Sequence, residues 1–215
     1  MFKPPFAAAL AASVFSSLLG ATEVSADSVD PKTVLVIYTA GSYPENVIGS
    51  LVKLSPELQD VDMKNAYADL PFGGVNQPRK CDMYKIGTKA QPVLAAVCNT
   101  LFWTEADQAA VAKVTDSVLF LFSVSDGSDS TSERGIKILR DHKMKADGIF
   151  YVDHAAVDDE ELYEYVMSGY QDVLSMNDLE NLPLVKDSPR SGAVSYPSYW
   201  SEPEILTGVM KMLAD

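Results

Sequence analysis

The sequence predicts an α/β domain in which a mostly parallel sheet is covered by helices on both faces. Short apolar segments rich in β-branched and aromatic residues, which are typical of buried strands, alternate with longer amphipathic segments. The clearest strand is 118–124, an apolar run interrupted only by Ser123. Strands that alternate with helices at this spacing favour a three-layer, doubly wound sheet.

Further segments have the composition of strands. They are 33–38, 92–98 and 148–152, together with an edge strand at 182–185, which contains Pro183, and a short strand near 83–86. Proline is best tolerated at the edge of a sheet because it donates no ladder hydrogen bond. Between 55 and 91 the signals are weak, and we expect a long excursion of functional or mobile character.

The first three helices are predicted from apolar spacing and capping residues. Pro44 suits the first turn of a helix that contains residues 47–54. Thr104, with Asp107 three residues later, predicts the start of a helix that runs to 114. Asp129 or Ser130 is expected to cap the third helix, which ends near 142.

The last two helices are predicted over 158–169 and 202–213. In the first of these, Leu162, Tyr165 and Val166 are expected to face the core. In the second, the apolar side contains residues 205, 206, 209 and 213.

The charge of the chain argues against direct nucleic-acid binding. The 215 residues include 17 Lys and Arg against 30 Asp and Glu, a net charge of -13. Phosphate contacts from basic side chains supply most non-specific nucleic-acid affinity, and the average field here repels phosphate. Arg79, Lys80, Lys85 and Lys89 form either a local basic patch or a solvated loop.

The first 30 residues have the organisation of a secretory leader, and 31–215 form the expected single domain. Lys3 precedes an apolar run over 6–19, and Val24-Ser25-Ala26 offers a small-residue cleavage site. The run is too short for a membrane span, and an unstructured tail is the alternative. Cys81 and Cys98 either form one disulfide or remain two free thiols.

The loop over 39–46 is the first place to seek a ligand, because ligands of such sheets bind at the carboxyl ends of strands. A phosphate-binding P-loop needs two glycines, a lysine and a Ser or Thr. This loop has only Gly41 and no lysine, and Glu45 adds negative charge. The hydroxyls of Thr39 and Ser42 resemble those of a flavin-phosphate loop, although an ordinary strand-to-helix turn explains the same residues.

The other polar clusters do not combine into a catalytic or metal-binding set. In the loop that begins at Asp126, the position that an EF-hand reserves for glutamate is Lys137. The histidines are His142 and His154; His154 follows Asp153, but neighbours on a strand point to opposite faces. No serine, Ser168 included, stands in a nucleophile elbow. The sequence therefore predicts no catalytic residue, no cofactor and no metal ligand.

Three remaining features are explained either by a structural role or by contact with a partner. Cys98 is expected in the core, because no basic neighbour activates it. The carboxylates at 158–161 suit the start of a helix without any metal. Tyr196, Tyr199 and Trp200 form an aromatic loop that either docks a partner or covers the sheet edge.

One segment resembles the GTPases of translation and ribosome assembly. The residues that carry the resemblance are Ala112-Lys113-Val114-x-Asp116-x-x-Leu119-Phe120-Leu121, followed by Gly127-x-Asp129-Ser130. The segment is similar to the GTPase-like first domain of the eukaryotic pre-rRNA-processing proteins that assemble the small ribosomal subunit. The resemblance covers about twenty residues, and beyond them it is architectural. It implies a GTPase-like topology, pre-ribosomal protein partners and a nuclear or nucleolar location.

The departures from that family imply loss of nucleotide binding. The P-loop is missing, and Val152-Asp153-His154-Ala155 stands where the family has its guanine-reading asparagine-lysine-x-aspartate. The basic N-terminal tail and the β-barrel domains of the family are missing too. The resemblance therefore implies an isolated first domain that acts as a non-hydrolysing scaffold. The alternative is a secreted α/β domain, either a small enzyme or a binding module, that shares only the architecture.

Overall fold

The computed structural model describes residues 29–70, 81–125, 127–152, 159–186 and 203–214, and it is an α/β structure with one sheet between two layers of helices. The strands are β1 (Lys32–Tyr38), β2 (Cys81–Gly87), β3 (Pro92–Cys98), β4 (Ser117–Ser123), β5 (Lys145–Val152) and β6 (Leu184–Lys186). The helices are α1 (Pro44–Lys53), α2 (Glu105–Val114), α3 (Ser130–Asp141), α4 (Glu160–Ser175) and α5 (Pro203–Ala214). The predicted three-layer fold class is confirmed.

The strands of the described sheet are ordered β2-β3-β1-β4-β5-β6. All neighbouring pairs are parallel except β2 and β3, which form an antiparallel hairpin. Every residue of β4 is buried, as its apolar composition predicts. The carboxyl ends of β1, β3, β4 and β5 consequently lie along one edge of the sheet.

The two faces of the sheet bury two separate apolar clusters. Alternate residues of β1 divide between them: Leu35 and Ile37 face one layer, and Val34 and Val36 face the other. The first cluster is closed by α2, α3 and α4, and the second by α1 and α5. Each strand therefore needs apolar residues at consecutive positions, which explains the uninterrupted apolar runs in the sequence.

The predicted helix starts are confirmed by their capping contacts. The Thr104 hydroxyl accepts a hydrogen bond from Asp107 N (3.2 Å), and Thr104 N donates to the Asp107 carboxylate (2.8 Å). Asp129 and Ser132 form the same reciprocal pair at the start of α3. Pro44 occupies the start of α1, where a missing N–H costs nothing.

The prediction for α4 was wrong in its end and for two of the three residues expected to face the core; the third, Val166, packs against the first apolar cluster. The helix continues past Gly169 to Ser175, and its core-facing residues are Met167, Tyr170 and Leu174. Leu162 and Tyr165 are 51% and 78% exposed, while Val166 is half-buried. The reason is that α4 carries apolar residues on two arcs, and periodicity alone does not identify the arc that packs.

Tyr170 fixes the orientation of α4. Its ring stacks on Phe122 with centroids 4.6 Å apart, and its hydroxyl donates to the carbonyls of Ser123 (2.8 Å) and Gly127 (2.5 Å). These carbonyls lie just beyond the end of β4. The contacts therefore hold α4 and the loop after β4 together.

Asp116 joins the start of β4 to the start of β1. Its carboxylate accepts hydrogen bonds from Thr33 N (2.7 Å) and the Thr33 hydroxyl (2.9 Å), and Asp116 N donates to Thr33 O (2.9 Å). A carboxylate that accepts a backbone N–H makes a comparatively strong bond. Asp116 thus has a structural role, at the edge opposite the carboxyl ends of β1 and β4.

The excursion between α1 and β2 is anchored to the domain where it is described. Leu58 is fully buried, and the Tyr67 hydroxyl lies 2.8 Å from the Thr115 hydroxyl. Lys85 donates to Val61 O (2.6 Å) and so ties the excursion to β2. Residues 71–80 lie outside the described residues.

Gly135 allows α3 to approach β1 closely. A Cβ atom at this position would lie 2.2 Å from Ile37 Cγ2, whereas a Cβ at Gly49 in α1 would meet nothing within 4 Å. We predict that Gly135→Ala destabilises the domain by about 1–3 kcal/mol, because overpacking moves the helix or the strand.

Gly49→Ala is the matched control for Gly135→Ala. It should stabilise the domain by up to about 1 kcal/mol, because alanine is the better helix former and has room here. Urea unfolding of both variants measures the two effects. Equal stability of the two variants would contradict the close packing of α3 on β1.

Candidate functional site

The loop after β1 is held by its own side chains at the carboxyl edge of the sheet. Ser123 N donates to the Thr39 hydroxyl oxygen (2.7 Å), and the Ser42 hydroxyl donates to Thr39 O (2.8 Å). Both side chains are fully buried. The two hydroxyls that resemble a flavin-phosphate loop therefore serve the loop itself and have no access to a ligand.

Asp129 closes the space between this loop and α3. Its Oδ2 atom accepts a hydrogen bond from Ala40 N (3.0 Å), and its Oδ1 atom accepts from Thr131 N (3.0 Å) and Ser132 N (2.8 Å). Backbone N–H groups in a turn and at a helix N-terminus are the donors that anions use in nucleotide sites. Here the anion is a carboxylate of the chain itself.

The N-terminus of α1 is poorly suited to hold a phosphate. Pro44 has no N–H to offer, and Asn46 N donates to Tyr43 O (2.9 Å). Tyr43, immediately before the helix, has a left-handed backbone with φ of 45°. Glu45 adds a negative charge in the first turn.

The electrostatic field at this edge is negative. Burial raises the pKa of the Tyr38 hydroxyl, and the charges of Glu45, Asp129 and Asp82 raise it further. The pKa of Tyr84, on β2, is raised by burial and then by Asp82 and Glu45. Carboxylates that disfavour a tyrosinate also disfavour a phosphate in the same place.

A disulfide lies at the carboxyl end of β3. Cys98 is bonded to Cys81, which stands opposite it on β2, and Cys98 is 1% exposed. The expectation of a core position for Cys98 is confirmed, and of the two alternatives for the cysteines the structure has the disulfide.

The other sequence candidates are dispersed or lie outside the described residues. The latter group comprises Arg79, Lys80, Asp126, Asp153, His154, Asp158, Tyr196, Tyr199 and Trp200. His142 follows the end of α3, and Ser168 is an exposed residue in the middle of α4. Of the basic patch, Lys85 points to the backbone of Gln59 and Val61. The described candidates, Lys85, His142 and Ser168, lie on separate elements.

The described part of the chain has neither a cluster of metal ligands nor a membrane-spanning helix. In that part of the chain, no group of three or more His, Cys, Asp and Glu side chains is arranged to hold a metal ion. Among the helices described, none has the length and apolarity to cross a membrane.

A cleft of about 550 Å³ lies at the opposite edge of the sheet. Its walls come from the end of α1, the β2–β3 hairpin and the C-terminal part of α5, and they include Leu54, Ile86, Val93, Met210 and Leu213. Sequence reasoning missed this cleft because its lining comes from segments far apart in the chain. Its walls are mainly aliphatic, and no catalytic set lines it.

Comparisons with known proteins do not assign the chain to a family. No family model matches it. No curated protein matches it either.

The bond between Asp129 and Ala40 predicts an unusually costly substitution. Asp159 caps α4 in the same way as Asp129 caps α3, accepting from Glu161 N (3.1 Å) and Leu162 N (3.2 Å). Asp159→Ala should cost about 1 kcal/mol, the usual loss of a cap. Asp129→Ala should cost about 0.5–1.5 kcal/mol more, because it also removes the acceptor of Ala40 N in a bond that solvent reaches.

Denaturant unfolding of these two variants measures the difference. Equal losses would mean that the contact between Asp129 and the β1 loop contributes nothing to stability.

The disulfide is expected to stabilise the domain substantially. It joins residues separated by 17 positions, and closure of such a loop in the unfolded chain is worth about 3 kcal/mol. The double variant Cys81→Ser, Cys98→Ser should lose about this amount in urea unfolding. A reducing agent should destabilise the natural protein and leave the variant unchanged. Insensitivity of the natural protein to the reducing agent would contradict the bond.

Proposed function

We propose that this chain is a non-hydrolysing, GTPase-like scaffold domain related to the factors that assemble the small ribosomal subunit, and that it works through protein contacts. The observation that carries the proposal is the Asp129 carboxylate, which accepts the Ala40 N–H at the loop where a phosphate would bind (3.0 Å). A domain with this loop keeps the shape of a nucleotide switch and lacks its ligand.

The architecture supports the GTPase-like part of the proposal. The strand order, with β2 antiparallel at one edge, agrees with the topology that the resemblance implies. The segment over 112–130 that carries the resemblance runs from the end of α2 through β4 to the start of α3. In the family the corresponding run likewise leads from a helix into the next strand.

The chemistry of the loop supports the absence of turnover. Phosphoryl transfer needs a lysine and backbone donors for the phosphates, together with a magnesium ion held by a hydroxyl and an aspartate. The loop after β1 has no lysine, and its buried hydroxyls are engaged, that of Ser42 with the loop backbone and that of Thr39 with Ser123 N of β4. Its surroundings are acidic, which disfavours a polyphosphate.

Nucleotide titration tests the proposal. We expect GTP or GDP with magnesium to leave the melting temperature of the protein unchanged. A ligand at a hundred times its dissociation constant would add about 2.7 kcal/mol of stability, or roughly 5–11 °C for a domain of this size. The melting temperature of Asp129→Asn, which lacks the negative charge of the carboxylate, is measured with the same nucleotides for comparison. A saturable, magnesium-dependent rise in the natural protein would overturn the proposal.

The secreted alternative is favoured by the disulfide. Disulfides persist in oxidising compartments and are rare in the cytosol and nucleus, and residues 1–26 have the organisation of a secretory leader. In this second candidate the same domain is a binding module or small enzyme outside the cell.

The mature N-terminus separates the two candidates. Mass spectrometry of the protein purified from its own cells identifies it. A chain cleaved after Ala26 favours export and contradicts a nucleolar role. An intact N-terminus favours the pre-ribosomal scaffold.

A further inference from the structure

Helix α4 carries an apolar stripe that faces solvent. Leu162 and Tyr165 are 51% and 78% exposed, and Met176, which caps the helix, is 74% exposed. At about 100° per residue these three side chains and Gly169 fall within an arc of roughly 60°. A Cβ at Gly169 would meet nothing within 4 Å, so the stripe has an open position in its middle.

The stripe is separate from the packing of the helix. The core side of α4 is formed by Met167, Tyr170 and Leu174, which are buried. Single exposed apolar side chains are common on soluble proteins, whereas neighbouring ones such as Leu162 and Tyr165, three positions apart on one arc, form the contiguous patches that mark interaction surfaces. Elsewhere in the described residues the exposed large apolar side chains, Tyr43, Leu54, Leu101 and Leu184, lie on separate segments.

The surroundings of the stripe are acidic. At the same 100° per residue, Glu161 and Asp172 border the arc of the stripe and both are exposed, and the sequence contains no Lys or Arg between Lys145 and Lys186. Among the described residues, two cations approach α4, and they lie at its sides. Lys186 lies 6.0 Å from the centre of the Tyr163 ring, and Arg140 of α3 donates to Asn177 beyond the helix end (3.3 Å).

We infer that this face of α4, comprising Leu162, Tyr165 and Met176 with the flanking carboxylates, docks a basic amphipathic segment of a partner protein. Apolar residues of the partner would cover the stripe, as in helix-in-groove recognition, and its Lys or Arg side chains would meet the carboxylates. The inference rests on the proposed function, in which the domain works through protein contacts, and it names the chemical class of the partner.

The charge selects this partner over the other possible occupants. A second copy of the chain, with a net charge of -13, would bring carboxylates against carboxylates. Nucleic acids and anionic lipid surfaces carry the same sign of charge and are repelled as well. A basic protein segment satisfies both the apolar stripe and its acidic border.

A designed peptide tests the inference with the full chain. The probe is a fluorescein-labelled 18-residue helix of Leu on one face and Lys on the other, and its counterpart has Glu in place of Lys. Fluorescence anisotropy should show saturable binding of the Lys peptide and none of the Glu peptide. The double variant Leu162→Ser, Tyr165→Ser should bind the Lys peptide at least tenfold more weakly, although its charge is unchanged.

The matched control is Leu54→Ser, Leu101→Ser, which removes two exposed apolar side chains elsewhere and should bind as the natural chain does. A thermal melt establishes that all variants are folded. Equal binding by the α4 double variant would mean attraction by charge alone and would overturn the inference.

Two further outcomes would also overturn it. One is a concentration-dependent dimer in sedimentation that the α4 variant abolishes, which would identify a second copy as the occupant. The other is binding that appears only after Tyr196, Tyr199 and Trp200 are replaced by serine, which would identify the chain's own 187–202 segment. Neither outcome involves nucleotide, whereas the scaffold proposal is tested by the GTP titration. A failure of the α4 inference can therefore be distinguished from a failure of the scaffold proposal.

Discussion

The hydrogen bond from Ala40 N to Asp129 is the constraint on which this account of the domain depends. The same carboxylate accepts two backbone N–H groups at the start of α3, so it connects the loop after β1 to the helix after β4. An anion that accepts backbone N–H groups gains more than a neutral acceptor does. A phosphate at this loop would have to replace the Asp129 carboxylate as the acceptor of the Ala40 N–H and would then lie next to its negative charge. The field there is already negative because of Glu45 and Asp82.

Other contacts at this edge of the sheet hold the same elements together. The loop hydroxyls of Thr39 and Ser42 are buried in contacts with the loop and with β4, and Tyr170 secures the loop after β4 from the other side. At the neighbouring strand end the disulfide fixes β2 against β3. A nucleotide switch needs loops at this edge that change position. Here the described parts of the same edge are connected by hydrogen bonds and a covalent bond.

Local signals explain how much of the fold the sequence could predict. The buried strands, the caps at Thr104 and Asp129 and the proline at the start of α1 depend on neighbours within a few residues, and all were predictable. The choice of buried arc in α4 depends on Tyr170 reaching the end of β4, which no local pattern reveals. Pairing of Cys81 with Cys98 depends on the register of the β2–β3 hairpin and was left open for the same reason.

Two features of the loop after β1 are visible in the sequence. The loop has no P-loop lysine and it contains Glu45, and both features disfavour a nucleotide. The second contact of Asp129 joins residues 89 positions apart, and only the fold brings them together. The apolar stripe of α4 could not be found from the sequence, because the pattern predicts Leu162 and Tyr165 in the core and the helix only as far as 169.

The most direct test of the central claim is an NMR titration that follows the backbone amides of Ala40 and Gly41. With ¹⁵N-labelled protein, we expect neither resonance to move on addition of GTP and magnesium, because the Ala40 N–H is already bonded to Asp129. We expect the Ala40 resonance to shift in Asp129→Ala, where that acceptor is removed. A saturable shift of the two amides with GTP in the natural protein would contradict the account.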